Sequence, residues 1–82
     1  MKTVFLDAAE QQELLRNTAG QGGFQGLIEG FQANLNTSTG KLVLTDVDLE
    51  RIPRYAFDYG NGGFEGRLRR IFERHLGPNL NR

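Results

Sequence analysis

The sequence contains no cysteine and no tryptophan, and it has one histidine and two prolines among its 82 residues. The lack of cysteine excludes disulfides and thiolate metal sites, and a single imidazole excludes a site built from several histidines. No apolar run approaches the length of a membrane span, and the N-terminal stretch becomes polar at Asp7, too early for a secretory signal peptide. We therefore expect a cytoplasmic protein without a membrane segment.

A chain of this length supports one compact domain, whose core is too small to enclose a large cofactor. We expect a single domain over residues 1–82, without a cofactor or a bound metal. Asp46, Asp48 and Glu50 place an acidic residue at every second position, as metal ligands are sometimes placed. The stretch lacks the central glycine and the terminal glutamate of a calcium-binding loop. These acids are better interpreted as residues that stabilise the N-terminus of a helix.

The formal net charge is zero, with ten basic and ten acidic residues, but the two signs are unevenly distributed. The first fifty residues contain three basic and seven acidic residues, whereas the remainder contains seven arginines and three acidic residues. Opposite charges of the two halves either neutralise each other within one fold or attract a partner. That partner is then an acidic surface or a second copy of the chain placed head to tail.

A glycine-rich heptad occurs twice, as Gly-Gln-Gly-Gly-Phe-Gln-Gly over 20–26 and as Gly-Asn-Gly-Gly-Phe-Glu-Gly over 60–66. The two copies agree at every glycine and at the phenylalanine. This agreement predicts an internal repeat, with one unit at about 3–35, a polar linker at 36–40 and a second unit at about 41–77. Each unit is expected to contain a strand, a helix, a glycine-rich turn and a second helix.

Local patterns predict the elements of each unit. Short β-prone runs occupy 3–6 and 41–44, and each is followed by a capping box, Asp7 with Glu10 and Thr45 with Asp48. Apolar residues at helical spacing predict helices over 8–19, 24–34 and 64–75, and a further helix that Pro53 interrupts and restarts. The resulting fold class is α+β, predominantly α: four short helices around a two-stranded β ribbon with a pseudo-two-fold repeat.

Glycine-rich turns before helices have two interpretations. A missing side chain at Gly26 and Gly66 would let another backbone approach closely. Alternatively, the backbone N–H groups of the second turn would bind an anion at the positive end of the helix dipole. The spacing fits neither the dinucleotide fingerprint nor the P-loop, so the packing role is favoured and an anion or small-ligand site at the Gly-Asn-Gly-Gly turn remains an alternative.

The last helix carries the main candidate binding face. Arg67, Arg70 and Arg74 share one stripe opposite the phenylalanines, and this stripe lies near two tyrosines. A solvated surface is one explanation of such a stripe. The functional alternatives are an acidic protein surface or a nucleic acid that contacts the arginines and stacks on tyrosine. A pI of about 6.6 makes a dedicated nucleic-acid binder the less favoured one. The predicted partner-binding residues are Arg54, Tyr55, Tyr59, Asn61, Arg67, Arg70 and Arg74.

Catalytic chemistry is not indicated, because no nucleophile, base and orienting acid can be assembled from the sequence. His75 stands at the end of the last predicted helix, where an imidazole interacts favourably with the helix dipole. We interpret it as a helix C-terminal residue rather than as a catalytic base. The protein is therefore not expected to be an enzyme.

Residues 49–68, Leu-Glu-Arg-Ile-Pro-Arg-Tyr-Ala-Phe-Asp-Tyr-Gly-Asn-Gly-Gly-Phe-Glu-Gly-Arg-Leu, resemble small accessory proteins of bacterial mobile elements. The resemblance covers about the second half of the chain and transfers no functional residue. It implies a bacterial, cytosolic and non-catalytic protein that acts by binding. Together with the arginine stripe, it predicts a protein-interaction module, with self-association as a homodimer among its forms.

Overall fold

The computed structural model describes residues 1–16 and 22–82. In these residues the chain forms two strands, β1 (Lys2–Phe5) and β2 (Lys41–Leu44), and four α-helices, α1 (Ala8–Leu15), α2 (Gly22–Asn34), α3 (Asp46–Pro53) and α4 (Gly62–Leu76). A π-helical turn over Arg54–Asp58, here called the π-turn, follows α3 directly. The predicted class, α+β and predominantly α with four helices and a two-stranded ribbon, is confirmed.

The two strands form an antiparallel ribbon in which Val4 pairs with Leu42 and Thr3 pairs with Val43. Alternate residues point to opposite faces of a strand. Val4, Leu42 and Leu44 are accordingly buried against the helices, while Phe5 on the other face is 57% exposed. The ribbon thus supplies one apolar face to the core.

Both predicted capping boxes are present. The carboxylate of Asp7 accepts a hydrogen bond from the Glu10 backbone N–H at 2.8 Å, and Glu10 accepts one from the Asp7 N–H at 2.9 Å. Thr45 and Asp48 exchange the equivalent pair of bonds at the start of α3. Because these bonds satisfy N–H groups that have no partner within the helix, they fix where α1 and α3 begin.

Helix α1 is shorter than its pattern predicts. It ends at Leu15, and Arg16 follows with extended backbone geometry. The rest of the predicted helix and the first heptad's Gly20 lie outside the described residues. Helix α2 begins two residues before the predicted start, at Gly22, and buries Phe24, Leu27, Ile28 and Phe31 as the spacing predicts.

The expected break at Pro53 does not occur. Pro53 is the last residue of α3, and the chain continues without interruption into the π-turn. A proline lacks an N–H and obstructs the usual i→i−4 hydrogen bond, and a wider turn is one way in which a helix accommodates that loss. The wider turn carries Tyr55 and Ala56 into the core.

Helix α4 closes the core. Asn61 caps its N-terminus and Gly77, with a φ of 86°, terminates it. Leu68, Ile71 and Phe72 are fully buried on its inner face. Beyond the helix, Leu80 folds back and is also fully buried.

The glycines expected to allow close backbone approach do not serve that purpose. A Cβ built at Gly26 would meet no atom within 4 Å, and one at Gly66 would meet only the flexible guanidinium of Arg70. Close approach occurs instead at Gly23, where a Cβ would overlap the Tyr55 hydroxyl. A side chain at Gly23, next to the phenylalanine of the first heptad, would therefore force Tyr55 to shift.

The order strand, helix, helix occurs twice along the described chain. Whether the two halves are copies of one unit stays a prediction, and residues 20 and 21 of the first heptad are outside the described ranges. None of the helices in 1–16 and 22–82 combines the length and apolar character that crossing a membrane requires.

Candidate interaction surface

Arg67 is not on the surface. Only 5% of Arg67 is exposed to solvent. Its Nη2 atom donates to main-chain oxygens at the C-terminal end of α1, those of Glu13 and Leu14 at 3.2 Å and that of Arg16 at 2.6 Å. The last carbonyl groups of a helix have no partner within the helix. The Arg67 guanidinium therefore donates to carbonyl groups at the end of α1, and burial lowers the pKa of that guanidinium, with the nearby charge of Arg16 adding to the effect.

Arg70 and Arg74 reach back to the same helix. Arg70 Nε lies 3.1 Å from a carboxylate oxygen of Glu13. Arg74 Nη2 donates to Glu10 at 2.8 Å and to the main-chain oxygen of Phe5 at 3.1 Å. The acidic and basic halves of the chain thus neutralise each other at the contact between α1 and α4.

A buried carboxylate lies at the centre of this contact. Glu10 accepts hydrogen bonds from Arg74 and from the backbone of Asp7, and the Nε2 atom of His75 lies 3.0 Å from it. Burial alone would raise the pKa of Glu10, but the hydrogen bonds from Arg74, Asp7 and His75 lower it to about 2. His75 stands in the last turn of α4, as predicted, and it also contacts this carboxylate.

The prediction of an available side chain is wrong for Arg67, which is buried, whereas Arg70 and Arg74 are half-exposed and their role in partner binding stays a prediction. The sequence places them on one helical face, and that face packs against α1, whose carbonyl and carboxylate oxygens they bind. Nucleic-acid binding through the same stripe stays a prediction, with Arg67 no longer available to a phosphate because it is buried and bonded to main-chain oxygens of the chain itself.

The other predicted residues lie together on a different surface, around the π-turn. Tyr55 and Tyr59 are separated by one turn, with ring centroids 4.6 Å apart. Tyr55 is 8% exposed, whereas Tyr59 is 54% exposed. A side-chain hydrogen bond with Tyr55 raises the pKa of the Tyr59 phenol. Tyr59 is thus an exposed ring held in place by a buried one.

Two arginines accompany this pair of tyrosines. The guanidinium carbon of Arg51 lies 5.8 Å from the centroid of the Tyr55 ring, and Arg51 has no ion-pair partner among the described residues. Arg54 forms an exposed ion pair with Glu50. Sequence reasoning missed Arg51, although its position one helical turn before Tyr55 is a signal that it faces that ring. We call the group Arg51, Arg54, Tyr55, Tyr59 and Asn61 the Tyr59 surface.

In the glycine-rich turn next to this surface, backbone N–H groups at the start of α4 are already hydrogen-bonded to the N-cap residue of that helix. The side-chain oxygen of Asn61 accepts hydrogen bonds from the backbone N–H groups of Gly63 at 2.9 Å and of Phe64 at 3.3 Å. These are N–H groups that an anion at the helix N-terminus would use. The geometry accounts for Asn61 as an N-cap residue and does not favour an anion site there.

No protein-family model matches the chain, and comparison with curated proteins and with solved structures gives no match either. The resemblance to accessory proteins of mobile elements consequently stays a prediction. The proposed function rests on the residues of the Tyr59 surface.

Proposed function

We propose that the protein is a non-catalytic interaction module that binds an acidic protein partner through the Tyr59 surface. The observation that carries the proposal is the exposed Tyr59 ring, supported from below by Tyr55 and accompanied by the Arg51 guanidinium. Tyrosine and arginine are the residues that most often dominate binding energy at protein interfaces.

The surface has the features of a preformed contact. Tyr59 exposes a large ring that packs against the Tyr55 ring at an angle of 50°, so less side-chain entropy remains to be lost when a partner covers it. Arg51 offers a cation, and no carboxylate of the described residues pairs with it. A carboxylate of the partner would accept a charge-assisted hydrogen bond from Arg51 without first breaking an ion pair among the described residues.

Chemical-shift mapping by NMR tests this directly, because a chain of 82 residues is well suited to it. The probe is a short poly-glutamate peptide with one central tyrosine, titrated at low salt. We expect the largest backbone shifts at Arg51, Arg54, Tyr59 and Asn61. A titration that shifts other residues, or none, contradicts the proposal.

A charge reversal provides the matched test. Arg51→Glu should abolish the shifts caused by the peptide, whereas Lys41→Glu makes the same charge reversal on β2, outside this surface, and should leave them unchanged. Replacing the peptide with a short DNA duplex separates the nucleic-acid alternative, which predicts stronger shifts with DNA and a steep loss with salt.

A further inference from the structure

Asn61 and Gly62 lie in a run of exposed residues at the start of α4. Residues 60–63 are all exposed to solvent, and the first of them, Gly60, has a φ of 65°. Gly62 differs from Gly60, because its φ is not positive and a Cβ built there would meet no atom within 4 Å. Neither packing nor backbone geometry therefore accounts for the glycine at 62.

The side chain of Asn61 is held by the two N–H groups that it caps. Its Oδ1 atom accepts hydrogen bonds from the backbone of Gly63 at 2.9 Å and of Phe64 at 3.3 Å. N–H groups at the beginning of a helix carry the positive end of the helix dipole. They withdraw electron density from the Asn61 amide carbonyl, and the Cγ atom of that carbonyl becomes more electrophilic.

The backbone nitrogen of Gly62 is available for a reaction with this carbonyl. It is the first residue of α4, where an N–H group has no partner within the helix. Its N–H group makes no hydrogen bond within residues 1–16 and 22–82. Glycine has no Cβ that would hinder the approach of this nitrogen, and attack on Cγ of Asn61 would close a five-membered ring.

We infer that Asn61 and Gly62 form a site of self-modification, at which the amide of Asn61 becomes a carboxylate. The Gly62 nitrogen loses its proton to hydroxide and bonds to Cγ of Asn61. The bond between Cγ and Nδ2 then breaks, and ammonia leaves after taking a proton from water. The product is a cyclic succinimide.

Water completes the reaction by opening the succinimide ring. Addition of water at Cγ breaks the new bond to the Gly62 nitrogen and leaves aspartate. Addition at the main-chain carbonyl breaks the original peptide bond instead and leaves isoaspartate, whose main chain runs through the side-chain carboxyl group. The overall change consumes a water molecule and releases ammonia.

The N–H groups of Gly63 and Phe64 act in this reaction as an oxyanion hole. Attack on Cγ moves negative charge onto Oδ1, and both groups already donate to that atom. Donors that are in place where charge develops lower the barrier, because they need no reorganisation during the reaction. The hydrogen bonds that cap α4 therefore also activate the side chain of its cap residue.

Asn36 provides an internal comparison. Its Oδ1 atom accepts hydrogen bonds from Ser38 at 2.9 Å and from Thr39 at 3.3 Å, the same relative positions and distances as at Asn61. The residue that follows Asn36 is Thr37, whose branched side chain restricts the approach of its nitrogen. We therefore expect Asn36 to react far more slowly than Asn61.

The modification adds a negative charge to the Tyr59 surface. A carboxylate at position 61 can accept the same two hydrogen bonds, and it interacts more favourably with the helix dipole than an amide does. The fold should therefore tolerate aspartate. Because Arg51 and Arg54 belong to the same surface, the added charge should weaken binding of an acidic partner, a consequence that rests on the proposed function.

Mass spectrometry of the folded full-length chain tests the inference. The protein is incubated at mildly alkaline pH, sampled over time and digested with trypsin. The fragment from Tyr55 to Arg67 contains Asn61 and no other amide side chain. We expect this fragment to gain the mass that separates a carboxyl group from an amide and to divide into aspartate and isoaspartate forms. A fragment that reacts only when the protein is unfolded in urea would overturn the inference.

Two substitutions test the role of the glycine. Gly62→Ala places a Cβ in open space, and it should slow the reaction at Asn61 by about tenfold because alanine hinders the nitrogen and restricts the backbone. Thr37→Gly is the converse change and should make Asn36 reactive. An unchanged rate in Gly62→Ala, or an Asn36 that stays inert in Thr37→Gly, would contradict the inference.

These measurements need no partner, so their failure is distinguishable from a failure of the proposed function. The effect on binding is measured separately with Asn61→Asp in the peptide titration. This variant should require more peptide than wild type to reach the same chemical shifts. Equal titration curves would show that the modification does not regulate the Tyr59 surface.

Discussion

Arg67 Nη2 lies 2.6 Å from the main-chain oxygen of Arg16, and the two residues are 51 positions apart in the sequence. The bond joins the middle of α4 to the end of α1. It assigns to Arg67 the role of a C-terminal cap supplied by another helix. An arginine that looks like part of a binding face in the sequence is thereby a structural residue.

Replacing Arg67 with methionine should lower the free energy of unfolding by about 2–4 kcal/mol, because at least three main-chain oxygens lose a charged donor in a buried setting. Arg70→Met, which removes a half-exposed ion pair, should cost less than about 1 kcal/mol. Chemical denaturation of both variants measures the difference. Equal losses would show that the Arg67 cap contributes no more than a surface ion pair.

Glu10 makes the free energy of unfolding depend on pH. Its pKa is about 2 in the folded protein against 4.5 for an ordinary glutamate. Because the folded pKa is the lower one, its contribution is present above about pH 5 and is lost as the pH falls towards 2, with a total of about 3 kcal/mol. Glu10→Gln should be less stable at pH 7 and should lose less stability on acidification.

Unfolding free energies measured at several pH values between 7 and 2 check the prediction for Glu10. The control is Glu29→Gln, which removes an exposed carboxylate of α2 and should preserve the wild-type pH dependence. If Glu10→Gln and wild type lose stability in parallel, the acid dependence arises from other carboxyl groups.

Gly23 and Gly26 lie on the same helix but should respond oppositely to alanine. Gly23→Ala places a methyl group where the Tyr55 hydroxyl lies, so Tyr55 must move and the melting temperature should fall. Gly26→Ala meets open space and should stabilise α2 by about 0.5–1 kcal/mol through helix propensity. Thermal unfolding followed by circular dichroism measures both. Adding Tyr55→Phe to Gly23→Ala should recover part of the loss.

Tyr59 should titrate at a lower pH when Tyr55 is replaced by phenylalanine. The side-chain hydrogen bond with Tyr55 raises the pKa of the Tyr59 phenol, and Tyr55→Phe removes that bond while keeping the ring. The chain has only two tyrosines, so the ultraviolet absorbance of tyrosinate in this variant reports on Tyr59 alone. A Tyr59 pKa in the variant no lower than in wild type would show that the two hydroxyls are not coupled.

Much of the local structure can be predicted from short patterns. The strand at 41–44, both capping boxes and the buried faces of α2 and α4 follow from alternation, from helical spacing and from the side chains that cap a helix. These features depend on residues a few positions apart, and their physical causes act within one turn or one strand. The position of the π-turn was missed because a proline after a helical run is compatible with either a break or a wider turn.

Short patterns in the chain are enough to predict the strands, the caps and the helical faces, together with the charge difference between the halves. Tertiary packing is needed to see that Arg67, Arg70 and Arg74 contact α1, that Tyr55 fills the space above Gly23 and that Tyr59 remains exposed. The reason is that local backbone preferences are set by near neighbours, whereas the partner of a long polar side chain is set by which helix packs against it. For Arg67, Arg70 and Arg74 those partners lie more than fifty positions away.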